Sequence, residues 1–84
     1  MYIEFRLPTG AGGQAAAHAN YMLKQKLEQW SALYGIHLRR KTVKYTVRVT
    51  FDDDRFYTYF ATTWKSANSW QDFRIISDLN NRQD

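Results

Sequence analysis

The fold is decided by ten residues, Thr42 to Phe51, which read TVKYTVRVTF. Apolar or aromatic side chains at every second position alternate with Thr, Lys and Arg. A period of two is typical of a β-strand with one buried and one solvent-facing side, an arrangement common in antiparallel sheets. The side chains expected on the buried side are Val43, Tyr45, Val47, Val49 and Phe51.

The residues after this strand predict a hairpin. Asp52 to Arg55 has the composition of a turn, and Phe56 to Trp64 is expected to return as the second strand. In the register that gives both strands a common buried side, Tyr57 and Tyr59 lie on the solvent-facing side near Arg48.

Three further elements follow from periodicity. The first seven residues alternate and predict a half-buried strand. Gln14 to Tyr34 has no Gly or Pro and repeats apolar residues every three or four positions, which predicts an amphipathic helix of about six turns. Trp70 to Ile76 is interpreted as a third strand of the meander. The predicted fold is α+β in the order β-α-β-β-β, a mostly antiparallel four-stranded sheet with one long helix on its apolar face.

Length and composition limit the classes of function. Eighty-four residues suit one small core, so 1–84 is predicted to be a single domain with 80–84 as a frayed tail. The chain has no cysteine, which excludes disulfides and thiolate metal sites. It lacks a membrane-length apolar run and a signal-peptide pattern, and a cytoplasmic location is therefore expected. No paired carboxylates or Ser-His-Asp set can be assembled, so we expect no enzyme activity, cofactor or metal.

The net charge of +4 belongs to the predicted hairpin, because residues 39–65 hold seven basic and three acidic side chains. Basic side chains and tyrosines on one sheet side suit nucleic acid, since cations bind phosphates and rings stack on bases. The alternative is that Lys, Arg and Thr only keep an exposed strand soluble and unpaired. The predicted contacts to DNA or RNA are Arg39, Arg40, Lys41, Lys44, Arg48, Tyr57 and Tyr59.

A second class of function stays open, because 14 aromatic residues are more than a small core usually holds. Exposed Trp, Tyr and Arg dominate the energetics of protein interfaces. A surface of Tyr57, Tyr59, Trp70 and Arg74 would suit a compact inhibitor or adaptor, of the kind that viruses and mobile elements encode, that occludes a host protein. An unpaired edge strand also makes a sheet-extended homodimer a hypothesis.

A glycine-rich loop joins the first strand to the helix, where backbone N–H groups can bind an anion. The chain is too short for a dinucleotide-binding fold, and Gln14-Ala15 stands where an NTPase phosphate loop needs Lys and Ser or Thr. A turn into the helix is the favoured interpretation. The candidate anion loop consists of Gly10, Gly12, Gly13 and Gln14.

The stretch Gly10-Ala11-Gly12-Gly13-Gln14 also resembles the Gly-Gly-Gln loop of peptide-chain release factors and related ribosome-rescue hydrolases. The resemblance implies that Gln14 would position water on the ester of peptidyl-tRNA. That family continues with His-Val-Asn, whereas Ala15-Ala16-Ala17 stands here. Peptidyl-tRNA hydrolysis is therefore a third hypothesis, carried by five residues.

Overall fold

The computed structural model describes residues 1–8, 14–66 and 72–76. Within these ranges the four strands form one sheet in the order β2-β3-β1-β4, and every neighbouring pair is antiparallel. The predicted α+β class, with a four-stranded antiparallel sheet and a long helix, is confirmed. In chain order the elements are β1 (Tyr2–Arg6), α1 (Gln14–Tyr34), β2 (Leu38–Val43), β3 (Thr46–Phe51), α2 (Arg55–Thr63) and β4 (Phe73–Ile76).

The connections form two interleaved β-α-β units, an arrangement called ferredoxin-like. β3 lies between β1 and β2, and β1 lies between β3 and β4. The two central strands bury Ile3, Phe5, Val47 and Val49 completely, and both helices contribute side chains to the same core. Both helices therefore pack on one face of the sheet, and no described element covers the opposite face, which we call the open face.

The stretch predicted as one strand from Thr42 to Phe51 is interrupted by a two-residue turn, and this part of the prediction was wrong. Lys44 has a φ of 55°, and the carbonyl oxygen of Tyr45 accepts a hydrogen bond of 2.7 Å from the Leu7 N–H. Tyr45 is 49% exposed and does not belong to the core. The alternation continues through the turn without the Asn-Gly pair that usually marks such a hairpin, and so the break is hidden.

The segment Phe56 to Trp64, predicted as a returning strand, is a helix as far as Thr63. Its first turn begins where the Asp53 carboxylate accepts a hydrogen bond of 2.8 Å from the Arg55 N–H. Its aromatic and β-branched residues have strand propensity, but propensity yields to packing. The sheet keeps four strands because residues 38–51 supply two of them.

The core is an aromatic cluster centred on Phe60, which is fully buried on α2. Its ring stacks on Trp64 at 4.9 Å and meets Phe73 of β4 edge-on at 5.2 Å. Trp30 of α1 contacts the same ring at 4.9 Å. Because β1, β4 and both helices meet at this point, the core holds the sheet in one position relative to the helix layer.

Candidate nucleic-acid interface

The open face of the sheet is the side opposite the helices, and it is defined by every second residue of each strand. The register places Lys41, Arg48, Glu4 and Arg74 in one row across all four strands. Arg39 lies opposite Thr50 in the next row. The complete open face consists of Tyr2, Glu4, Arg6, Arg39, Lys41, Val43, Thr46, Arg48, Thr50, Arg74 and Ile76.

Arg48 lies near the centre of the open face and stacks on Tyr2. Its guanidinium carbon is 4.9 Å from the centroid of the Tyr2 ring, a cation–π contact. Its Nε is buried and has no hydrogen-bond partner among the described residues. Lys41 and Arg39 line the same shallow depression of about 400 Å³. The β2/β3 side of the face is thus a strip of three cations beside one aromatic ring.

The β1/β4 side of the open face is nearly neutral. The Glu4 carboxylate accepts a hydrogen bond of 2.7 Å from Arg74, and the Glu4 side chain is only 14% exposed. Asp72 and Arg6 line a second depression beside this pair, with a volume of about 260 Å³. Two carboxylates therefore balance two guanidinium groups here, and the positive potential of the face is concentrated over β2 and β3.

Three of the predicted phosphate contacts, Arg39, Lys41 and Arg48, lie together on the open face. Arg40 does not, because its Nη1 donates to Asn20 of α1 at 2.8 Å on the helix side. Lys44 lies in the hairpin turn. The predicted grouping of Arg40 with Arg48 was wrong. Across the two-residue turn, even-numbered residues of β2 pair with odd-numbered residues of β3, and paired residues lie on the same side of the sheet. Arg40 therefore shares the helix side with Val49, and Lys41 shares the open face with Arg48.

The two predicted tyrosines are not on the open face, and this prediction was wrong as well. Tyr57 is 3% exposed; its hydroxyl donates to the Met1 carbonyl at 2.7 Å and accepts from the Phe51 N–H at 3.1 Å. Tyr59 is 43% exposed but lies in the helix layer, where its ring contacts Trp30. Both tyrosines belong to the segment that was predicted as a strand and that forms α2.

The described residues of the predicted protein interface are not brought together. Tyr59 lies in the helix layer, Arg74 lies on the open face, and Trp70 is outside the described residues. Gln14 is the exposed first residue of α1, while the glycines of the predicted anion loop and the tail 80–84 are also outside the described ranges. The anion-loop, Gly-Gly-Gln and frayed-tail hypotheses therefore stay predictions.

Two residues of the open face were missed as site residues, Tyr2 and Glu4. The alternation of the first seven residues placed both on one side of a strand. It could not show that this strand lies in the centre of the sheet beside Arg48, because the pairing of β1 with β3 joins residues 40 or more positions apart. Their position beside Arg48 is a tertiary property.

A groove between α1 and α2 lies on the other side of the molecule. The Lys26 ammonium donates to the Lys65 carbonyl and lies 4.6 Å from the Trp64 ring, and burial lowers the pKa of Lys26. Leu33 is 74% exposed at its rim. The groove has a volume of about 350 Å³. It is separate from the open face, and none of its described lining residues is a carboxylate.

The acidic run Asp52 to Asp54 serves the start of α2. Arg55 binds the Asp53 carboxylate at 2.9 Å, and the hydrogen bonds from its side chain and backbone hold the pKa of Asp53 below its ordinary value. In the part of the chain that the structure describes, no group of three or more His, Asp or Glu side chains could hold a metal ion.

Comparisons with known proteins give no family for this chain. A scan against protein-family models finds no match, and searches of curated proteins and of solved structures find none either. Neither described helix combines the length and apolarity needed to span a bilayer. Any function must therefore be argued from the open face itself.

Proposed function

We propose that this protein is a small, non-enzymatic nucleic-acid-binding protein that uses the open face of its sheet. The observation that carries the proposal is the stacking of Arg48 on Tyr2 beside Lys41 and Arg39. A planar guanidinium suits a phosphate group, which it can bind through two parallel hydrogen bonds. The ring holds the guanidinium in place and offers a base a surface on which to stack.

The buried Nε of Arg48 favours a ligand-binding role for this residue over a role in solubility alone. A buried donor without an acceptor among the described residues costs free energy, and such a group needs an explanation. A small rotation of Arg48 over the Tyr2 ring would present this donor to a phosphate oxygen. Lys and Arg that serve solubility alone have no need of such a stacked arrangement.

The proposal is tested by measuring the salt dependence of binding. Fluorescence anisotropy with labelled DNA and RNA, single-stranded and duplex, should give dissociation constants that rise steeply with salt. The logarithm of the association constant falls linearly with the logarithm of the salt concentration. Lys41→Ala and Arg39→Ala should each make this negative slope shallower by about 0.7 to 0.9, the value for one lost phosphate contact.

Arg40→Ala is the matched control, because Arg40 lies between these residues on β2 but on the helix side. It lowers the net charge by the same amount and should leave the slope unchanged. Lys24→Ala, on the exposed side of α1, is a second control that breaks no described contact of the sheet. If the wild type binds no nucleic acid at low salt, or if all four variants have the same slope, the proposal is wrong.

A further inference from the structure

The open face has only one aromatic side chain among the described residues, and that ring has a cation on one side only. On one side Tyr2 contacts Arg48 of β3, and on the other side its neighbour is the uncharged Ile76 of β4. A base stacked at Tyr2 would thus have its phosphate directed toward Arg48 and away from β4.

The charge distribution gives the ligand backbone one path. Arg39, Lys41 and Arg48 form the cationic strip over β2 and β3. Glu4 lies beside Arg48 in the register, but its carboxylate is bound by Arg74. Asp52 is 4.0 Å from Arg39, with both groups well exposed. An exposed pair at that distance contributes little. Over β1 and β4, in contrast, Glu4 and Asp72 balance Arg74 and Arg6, so this side of the face offers a phosphate no net attraction. One sugar-phosphate backbone fits the strip, and a second one parallel to it does not.

The shape of the face disfavours a duplex. Four strands about 4.8 Å apart give a nearly flat surface roughly 14 Å wide between the outer strand axes, before side chains are added. The major groove is about 12 Å wide and the minor groove about 6 Å, so neither admits this surface. Within a duplex the faces of the bases are also stacked on one another and cannot reach the Tyr2 ring.

We infer that the ligand of the open face is a single-stranded nucleic acid, with its backbone on the β2/β3 strip and one base stacked on Tyr2. This inference rests on the proposed function and narrows it. Simple attraction between charges would favour a duplex, because two strands have the higher charge density. A preference for single strands therefore reports stacking and cannot come from net charge.

The test compares three labelled probes at one salt concentration: a twelve-nucleotide oligothymidylate, a twelve-nucleotide oligouridylate and a twelve-base-pair DNA duplex. The wild type should bind at least one of the single strands about tenfold more tightly than the duplex, within the range expected for one stacked base. Tyr2→Leu should remove most of this preference, because it removes the stacking ring and so weakens single-strand binding more than duplex binding. Tyr2→Phe keeps the ring and should keep the preference.

Tyr21→Leu is the control, because Tyr21 is 57% exposed on α1 and should leave all three affinities unchanged. If the duplex binds as tightly as both single strands, or if Tyr2→Leu binds like the wild type, the inference is wrong. The proposed function survives that result when duplex binding still depends on Lys41. If none of the probes binds, the inference and the proposed function both fail.

Discussion

Tyr57 shows how one side chain can link three parts of a small domain. Its ring packs against Phe51 at 5.0 Å, and its hydroxyl joins the end of β3 to the Met1 carbonyl. Tyrosine is a polar residue by its hydroxyl and an apolar one by its ring, so its pattern in the sequence fits either side of an element. Here the hydroxyl finds two partners inside the molecule, and the residue is buried.

Tyr57→Phe should therefore destabilise the protein without affecting nucleic-acid binding. The change leaves the buried Phe51 N–H without its acceptor, which costs about 1 to 3 kcal/mol of the free energy of unfolding. Urea unfolding measures this loss. Tyr59→Phe, at an exposed position, should stay within about 0.5 kcal/mol of the wild type. Equal stability of the two variants would contradict the role given to the Tyr57 hydroxyl.

The two elements that sequence patterns misplaced both depend on short polar segments. The hairpin between β2 and β3 turns at Lys44, although a Lys with positive φ is uncommon. α2 begins at a carboxylate that binds the backbone of the first helical residue. In each case one or two residues outside the periodic pattern decide the direction of the next element.

Lys44→Asn should stabilise the protein by roughly 0.5 to 1 kcal/mol. Asn adopts the left-handed region far more readily than Lys, for which this conformation costs about 1 kcal/mol or more. Lys44→Ala removes the same charge and keeps the strain, so it should show no gain. Unfolding in urea distinguishes the two variants. A gain shared by both would mean that charge, and not backbone conformation, limits this turn.

The ion pair at the start of α2 predicts a loss of stability in acid. Because Arg55 lowers the pKa of Asp53 in the folded protein, the carboxylate contributes stability that is fully present above its ordinary pKa of 3.8. This contribution is lost as the pH falls through and below that value. Asp53→Asn should therefore be less stable than the wild type at neutral pH, and the difference should shrink as the pH falls below 3.8.

Urea midpoints measured across this range test the prediction. Arg55→Gln removes the guanidinium but keeps the backbone N–H that donates to the same carboxylate, so it should lose the larger part of the acid-dependent stability and not all of it. A difference between the wild type and Asp53→Asn that stays constant down to the lowest pH would show that the pair is not responsible.

At the scale of the whole molecule, the two faces of the sheet differ in composition. The helix side holds the core, and the open face carries Arg39, Lys41 and Arg48. The edges also differ, because β2 carries Arg39, Arg40 and Lys41 in succession. Pairing two copies of β2 would place like charges opposite one another, which is unfavourable. The homodimer hypothesis is therefore better suited to the β4 edge.

Phe60→Ala should weaken the entire domain. Its fully buried ring contacts Trp30 of α1 and aromatic rings on three strands, and replacing a buried Phe with Ala costs about 3 to 5 kcal/mol. A domain of this length has roughly 4 to 13 kcal/mol in total. A thermal melt followed by circular dichroism should show a much lower midpoint and one transition.

Phe56→Ala is the control on the same helix, because Phe56 is only partly buried at the edge of the core. It should have the smaller effect. If the two variants melt at the same temperature, the cluster is not centred on Phe60.

The sequence by itself determined the elements whose pattern is long and unbroken. Gln14 to Tyr34 was predicted with the boundaries that the structure has, because six turns of helical spacing without Gly or Pro admit one interpretation. The fold class and the buried sides of β1 and β3 followed in the same way, since a period of two assigns alternate residues to the core whatever the strands pair with.

Only the tertiary structure decided which side chains share a surface. Tyr57 and Tyr59 moved to the helix layer because packing against Trp30 and Phe51 outweighed the strand propensity of their segment. Arg40 and Arg48 lie on opposite sides of the sheet because the short turn at Lys44 pairs Arg40 with Val49 and Lys41 with Arg48. Tyr2 meets Arg48 because β1 lies beside β3. A binding surface assembled from distant strands depends on that order, and local periodicity carries no information about it.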